Sequence, residues 1–187
     1  MMKEEINKTC DILHKGGIIL YPTDTIWGLG CDANNADAID NLYKLKQREP
    51  AKSMLILVEH VSRVMAYVNN PPEVALDMME IADNPLTVIF DGAKNLPINL
   101  ISEDGSIAIR VVSQGFVHDL IRRFKRPIVS TSANFSGQES PLKYNDIDKK
   151  LIEKVDYSVN LNRNNRHVKA SSIVRVRGNN QIEVIRR

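Results

Sequence analysis

Three short polar segments of this chain hold the residue types that could do chemistry, and each follows or ends a regular element. The first is Tyr21-Pro22-Thr23-Asp24-Thr25-Ile26-Trp27-Gly28-Leu29-Gly30. It sets hydroxyls and a carboxylate where a strand ends, the edge at which α/β sheets usually bind ligands. Gly28 and Gly30 would let the backbone turn tightly or come close to a ligand. Read alone, the same residues make a capped turn with an Asx hydrogen bond equally well. The second segment, Lys46-Gln47-Arg48-Glu49-Pro50-Ala51-Lys52, brings Lys46, Arg48 and Lys52 together where a helix gives way to an irregular loop. Such cations can converge on phosphates, but a solvated basic helix end, favoured by the dipole there, is the plainer alternative. The third is Pro127-Ile128-Val129-Ser130-Thr131-Ser132-Ala133-Asn134-Phe135-Ser136-Gly137. Its hydroxyls and amide are neutral donors that can hold phosphate or carboxylate oxygens without adding charge. A Ser/Asn-rich turn is the bland reading of that stretch.

The elements that must position these segments follow from apolar spacing. Met2, Ile6, Cys10 and Leu13 predict a helix over residues 2–14 that Gly16-Gly17 stops. Residues 18–21 read as a buried strand running into the first polar turn. Asn35 can cap a helix whose inward residues are Ile39, Leu42 and Tyr43, ending in the basic run from Lys44. Residues 54–58 read as a strand, and Pro71-Pro72 opens a helix carrying Val74, Leu76, Met78 and Met79. Strands are predicted at 86–90, 107–112 and 127–129, with the last emptying into the hydroxyl-rich loop. Between the last two, Val117, Leu120, Ile121 and Phe124 predict a helix packed by one face on the sheet. Residues 172–176 and 182–185 read as a hairpin around Gly178-Asn179-Asn180. Strands and helices interleave without strict alternation, so an α/β domain with a twisted, mixed sheet is expected over 1–187.

Composition narrows the classes. With 187 residues and 43% apolar content the chain can bury a sizeable core, and its net charge of +2 excludes a strongly basic or acidic character. Basic residues nonetheless cluster at 44–52, 122–126 and 163–169, which would attract phosphates if they shared a face. Cys10 and Cys31 lie far apart without metal-ligand spacing and read as small core residues. The first residues lack the apolar run of a signal peptide, so a cytoplasmic protein with no membrane association is expected. Phosphate-binding GxxxxGK[ST], dinucleotide GxGxxG, HExxH and GxSxG motifs do not occur.

The three segments, in this order and spacing, resemble the threonylcarbamoyl-AMP synthase family, proteins with a YrdC-like fold. Five landmarks carry the resemblance: PTDTIWGLG, LKQR with Lys52, the strand Ser106-Ile107-Ala108-Ile109-Arg110-Val111, VSTSANFSG, and Ser171-Ser172-Ile173-Val174. Departures are Glu49 between Arg48 and Pro50, Ser53-Met54 after Lys52, Leu57 for a histidine, Asn84 for a glycine, and Trp27 before Gly28. The resemblance implies a single YrdC-like domain with a concave basic groove. It implies synthesis of threonylcarbamoyl-AMP and pyrophosphate from L-threonine, bicarbonate or CO2, and ATP carrying Mg2+, for threonylcarbamoyl-adenosine modification of tRNA. Lys46, Arg48 and Arg110 would be catalytic; Arg48, Lys52, Ser132, Asn134 and Arg186 would bind ATP; Thr25, Arg110, Ser130 and Ser172 would bind threonine; and no protein ligands hold a metal. The implied partners are tRNA or double-stranded RNA and the proteins that transfer the threonylcarbamoyl group. An RNA-binding relative without synthase activity, and a carbamoyl-adenylate domain of hydrogenase maturation, are the alternatives. Trp27, two residues from Thr25, is expected to sense a ligand at the first segment.

Overall fold

The computed structural model describes residues 1–48, 54–164 and 170–187, so the expected role of Lys52 falls outside the described residues. The apolar spacing near the start forms helix α1 (Met2–His14), which buries Ile6, Cys10 and Leu13 but leaves Met2 exposed. Gly16, at φ 78°, takes the left-handed conformation that ends it. Helix α2 (Ala36–Lys46) begins as expected at Asn35, whose side chain accepts from the amide of Ala38 at 3.0 Å. Helix α3 (Glu73–Ile81) follows the Pro pair and buries Ala75 and Met79, while Val74, Leu76 and Met78 are only partly covered. Helix α4 (Gly115–Phe124) buries Phe116, Val117, Leu120, Ile121 and Phe124, and a short α5 (Lys149–Ile152) follows later.

Nine strands form one mixed sheet. In chain order they are β1 (Ile19–Pro22), β2 (Trp27–Asp32), β3 (Leu55–Val58), β4 (Leu86–Phe90) and β5 (Ile107–Val111). The others are β6 (Ile128–Ser132), β7 (Tyr157–Ser158), β8 (Ser172–Val176) and β9 (Ile182–Arg186). Their order across the sheet is β7-β1-β2-β6-β3-β5-β4-β8-β9. Pairs β1–β7, β3–β5 and β4–β8 are parallel and the remaining five antiparallel. The expected mixed α/β sheet and the terminal hairpin are both present. Two stretches differ. Residues 27–32 form a strand that the sequence reading does not assign, because glycines at 28 and 30 hide strand character that pairing with β1 and β6 supplies. Strand β6 runs on to Ser132, so Ser130, Thr131 and Ser132 belong to the strand and not to a loop.

Side chains alternate between two differently covered faces. One face carries Leu29, Cys31, Ile56, Val58, Val88, Phe90, Ile107, Ile109 and Val129 into the core beneath α2 and α3. On the other, Ile19, Tyr21, Leu57 and Ile128 lie under α1 and α4. That cover is incomplete. Along the same face Thr87, Ile89, Ala108, Arg110, Ser130, Ser132 and Ile173 line an open cavity instead. Both cysteines are buried as free thiols, as expected. Among the described residues no helix is long and apolar enough to cross a membrane.

The close approach of β1, β2 and β6 depends on Gly30. A Cβ there would stand 2.7 Å from the Val129 carbonyl oxygen and 2.9 Å from the Tyr21 ring, whereas at Gly28 the nearest atoms are 3.3 Å away. Gly30→Ala is expected to destabilise the fold by about 1–3 kcal/mol, as overpacking of a tight core does. Gly28→Ala should cost clearly less. Denaturant unfolding of both variants checks this, and equal midpoints would contradict it.

Candidate functional site

The uncovered part of the sheet is a cavity of about 260 Å³. Its floor is built by register. Leu55 pairs with Ser130 and with Ala108, Arg110 pairs with Thr87, Thr87 with Ile173, and Ile173 with Arg186. Residues paired across strands point to the same face, so these positions share the floor although the chain scatters them. The described lining includes three arginines, Arg48, Arg110 and Arg186, and the hydroxyl-bearing residues Thr23, Thr25, Thr87, Ser130, Thr131, Ser132, Ser140 and Ser171, with no carboxylate. Such a donor set suits anions such as phosphates and carboxylates, and no bare cation.

Arg110 is the most confined of the cations, only 3% exposed. Its Nη1 donates to the Thr25 hydroxyl at 3.0 Å and pairs with Asp24 at 3.1 Å, while its Nε–H has no partner among the described residues. The turn that offers Asp24 and Thr25 is itself wired. The Thr23 Oγ1 accepts from the amides of Thr25 and Ile26, each at 3.1 Å, and donates to the Ile26 carbonyl at 2.6 Å. Opposite, Tyr21 donates its hydroxyl to Ser130 Oγ at 2.8 Å. Burial pushes the Tyr21 phenol well above its usual range, so it remains a protonated donor. Thr87 and Ser171 share a hydrogen bond of 2.8 Å between their hydroxyls. Arg186 reaches the cavity while its Nε and Nη2 donate to the Ser171 carbonyl at 3.0 and 2.8 Å.

Lys46 occupies a different place from the one expected. It is 1% exposed, and its Nζ donates to the carbonyls of Ser132 at 2.6 Å and Asn134 at 2.7 Å. The amide of Ser136 in turn donates to the Lys46 carbonyl at 3.0 Å. This lysine therefore ties the end of α2 to the strand end and loop of β6 and does not line the cavity. Burial, then the charge of Arg48, lowers its pKa to about 7. Directly after it, Gln47 adopts the left-handed conformation at φ 52° and turns the chain so that Arg48 lines the cavity.

Of the remaining expected residues, Thr25, Arg48, Arg110, Ser130, Ser132 and Arg186 come together around the cavity. Asn134 does not line it; its Nδ2 donates to the carbonyls of Phe135 and Gln138 at 2.9 and 2.7 Å and shapes the loop. Ser172 also misses it, because Ser171 and Ile173 flank it on the cavity side and strand alternation turns Ser172 away. Trp27 lies buried in the core of the opposite face, edge-on to Tyr144 at 5.0 Å, and is not poised to sense a ligand directly. Residues that the sequence reading gave no site role are Thr87 and Ser140, together with Tyr21, Thr23 and Ser171, which lie within the segments it singled out. Period-two alternation along β4 and β8 was the available signal for Thr87 and Ser171.

The buried lysine makes a pH-dependent contribution. The unfolded chain holds this proton up to its ordinary pKa of 10.5, the folded one only to about 7. Between those values the folded state therefore gains on the unfolded as pH rises, by at most about 1.4 kcal/mol per pH unit. Below pH 7 the whole cost of burying the charge is present. Lys46→Met removes this titration, so the stability advantage of the parent over the variant should widen from pH 6.5 to pH 9. Urea unfolding at the two pH values measures it, and a constant difference would contradict a lysine buried in this way.

Comparisons with known proteins agree with this architecture. The profile of the Sua5/YciO/YrdC family, described as "Telomere recombination", matches residues 11–187. A protein of Pseudoalteromonas translucida (strain TAC 125) named threonylcarbamoyl-AMP synthase is 34% identical over 81% of this chain and 81% of its own length. Among solved structures, P. abyssi Sua5 complexed with L-threonine superposes with a TM-score of 0.81 at 20% identity, over 91% of this chain. This chain spans 50% of that Sua5 chain. E. coli YciO superposes with a TM-score of 0.82 at 24% identity, over 100% of this chain and 89% of its own. At these identities the solved structures establish the fold, while the profile and the relative establish the lineage: the chain belongs to the Sua5/YciO/YrdC family.

Proposed function

We propose that this protein is an L-threonylcarbamoyladenylate synthase, a nucleotidyltransferase that forms threonylcarbamoyl-AMP and pyrophosphate from L-threonine, bicarbonate or CO2, and ATP. The observation that carries the reading is a cavity lined by three arginines and many hydroxyls with no carboxylate among its described lining residues. The reaction joins anions. The threonine amine captures CO2 as a carbamate, and the carbamate oxygen attacks the α-phosphate of ATP and expels pyrophosphate. Cations and fixed neutral donors must offset the charge gathered at that point. In this reading Arg48 and Arg186, which line the cavity, take the phosphates, while Arg110, held by Asp24 and Thr25, meets an anionic group of threonine or of the carbamate. Ser130 and Ser132 supply hydroxyl donors between them. Mg2+, when bound, neutralises phosphate charge; it would arrive on ATP, since the described lining provides no carboxylate to hold it.

The wider setting belongs to the same proposal. The product would be passed to threonylcarbamoyl-transfer proteins acting on tRNA in the cytoplasm, and RNA contact would use the basic segments. An RNA-binding relative lacking synthase activity is less well supported, because the cavity's enclosed arginine and hydroxyls suit a small anionic ligand, and a 34% identical relative carries the synthase name.

Incubation with Mg2+-ATP, L-threonine and labelled bicarbonate should release pyrophosphate and yield a labelled adenylate. Release should stop in CO2-free buffer and be much weaker with serine, because a missing methyl in a fitted pocket costs about 1–3 kcal/mol. Pyrophosphate release that ignores threonine would refute the assignment. Arg48→Ala should raise the KM for ATP about tenfold or more, as loss of a charge-assisted contact does. Unchanged ATP binding by calorimetry would remove Arg48 from the phosphate site.

A further inference from the structure

We propose that Tyr21 is a positioning residue of the site: by giving its phenol proton to Ser130, it aims the Ser130 hydroxyl proton into the cavity as a fixed donor for a negatively charged oxygen of the substrate. The contact crosses a strand. Tyr21 stands on β1 and Ser130 on β6, with β2 between them. Gly30 of β2 pairs with Ser130, and a Cβ on Gly30 would stand 2.9 Å from the Tyr21 ring. The ring therefore passes over Gly30, where a side chain would block it, and its hydroxyl meets Ser130 Oγ at 2.8 Å.

The direction of this bond follows from what surrounds each oxygen. Tyr21 is fully buried and lies with Leu57 and Ile128 in the apolar cluster under α1 and α4. Among the described residues its hydroxyl has Ser130 Oγ as its one hydrogen-bond partner. A phenol proton pointed elsewhere would be a buried donor left unmade, so it lies on the line to Ser130. Burial also keeps that proton in place, since it pushes the phenol far above its usual range. Ser130 thus spends one lone pair on Tyr21 and keeps its own proton. That proton has no acceptor among the described residues. Ser130 lines the cavity, so whatever enters the cavity takes it.

A serine hydroxyl left to itself turns as readily into an acceptor as into a donor, and an acceptor facing an anion repels it. Tyr21 removes that choice before the ligand arrives, which is how fixed dipoles favour charge in an enclosed site. Arg110 lines the same cavity and lies close enough to the Tyr21 phenol for its charge to be felt there. The serine donor and the guanidinium therefore serve one volume, and together they suit an oxygen that carries negative charge. The identity of the substrate rests on the synthase reading. Under it, that oxygen belongs to threonine or its carbamate, or to a phosphate of ATP.

Tyr21→Phe keeps the ring and removes the phenol proton. In threonine-dependent pyrophosphate release it should raise the KM for threonine or for ATP about threefold to tenfold, and the KM that moves shows whose oxygen Ser130 holds. Ser130→Ala should raise the same KM. Tyr21→Phe added to Ser130→Ala should raise it no further, because the tyrosine acts through the serine. In urea unfolding that addition should restore stability, since Ser130→Ala alone leaves the phenol buried without a partner. A folded Tyr21→Phe variant with both of the parent's KM values overturns the proposal, and so does a double variant in which the two single effects multiply. Neutron diffraction from crystals of the ligand-free protein in D2O reads the protons without reference to the reaction. Deuterons are expected on Tyr21 toward Ser130 and on Ser130 toward the cavity. A Ser130 deuteron on the line to Tyr21 overturns the proposal, even if the variants fail to fold. Deuterons placed as expected in a protein with no threonine-dependent release support the fixed donor and refute the synthase reading.

Discussion

A guanidinium cannot shed its proton to escape a dry environment, so the burial of Arg110 on a central strand obliges the rest of the site to answer it. Asp24 and Thr25 do so from the turn between β1 and β2. That turn joins β1 to β2, and β2 lies three places from β5 in the sheet order, across β6 and β3. The ion pair and hydrogen bond therefore draw a loop over one end of the sheet face and close a cavity that α1 and α4 leave open. Removing either partner would strand a buried charge, which costs far more than the pair contributes while intact.

Electrostatics and geometry are shared unequally among the basic residues. Arg48, Arg110 and Arg186 present charge to the cavity, and Arg110 and Arg186 oppose each other closely enough to be felt. Lys46 presents none. Its buried ammonium braces the end of β6, and so holds Ser130 and Ser132 where the cavity needs them. Two basic residues two positions apart in the sequence thus serve different ends. One braces the strand end beside the cavity and the other lines the cavity, with the left-handed Gln47 making the switch.

The cavity is an uncovered patch of sheet furnished with small and hydroxylic side chains, in place of the apolar residues a covering helix would require. Ala108, Ser130, Ser132 and Gly28 leave space, and the arginines at its margins supply the charge. A concave site follows without any inserted domain, and the core beneath α2 and α3 on the opposite face carries the stability that such a polar floor cannot.

Much of this could be read from the residues alone. Among the described residues, apolar periodicity located the four longest helices and most strands, Asn35 announced its cap, and the three polar segments hold Thr25, Arg48, Ser130 and Ser132, which line the cavity. Those signals are local: they depend on spacing within a few turns or strand steps. What the sequence left open depends on pairing between distant strands. The glycine-bearing β2 gains strand character only from its neighbours, and Ser171, not Ser172, lines the cavity because register with β4 sets the parity. A lysine two residues from an arginine reads as a cationic pair fit for phosphates. Only the fold shows two carbonyls, 86 and 88 residues further along, waiting for its protons. Residue types determined that hydroxyls and guanidinium groups would be at hand; the tertiary structure decided which of them face one cavity, since side-chain direction is a property of register and burial that no linear spacing carries.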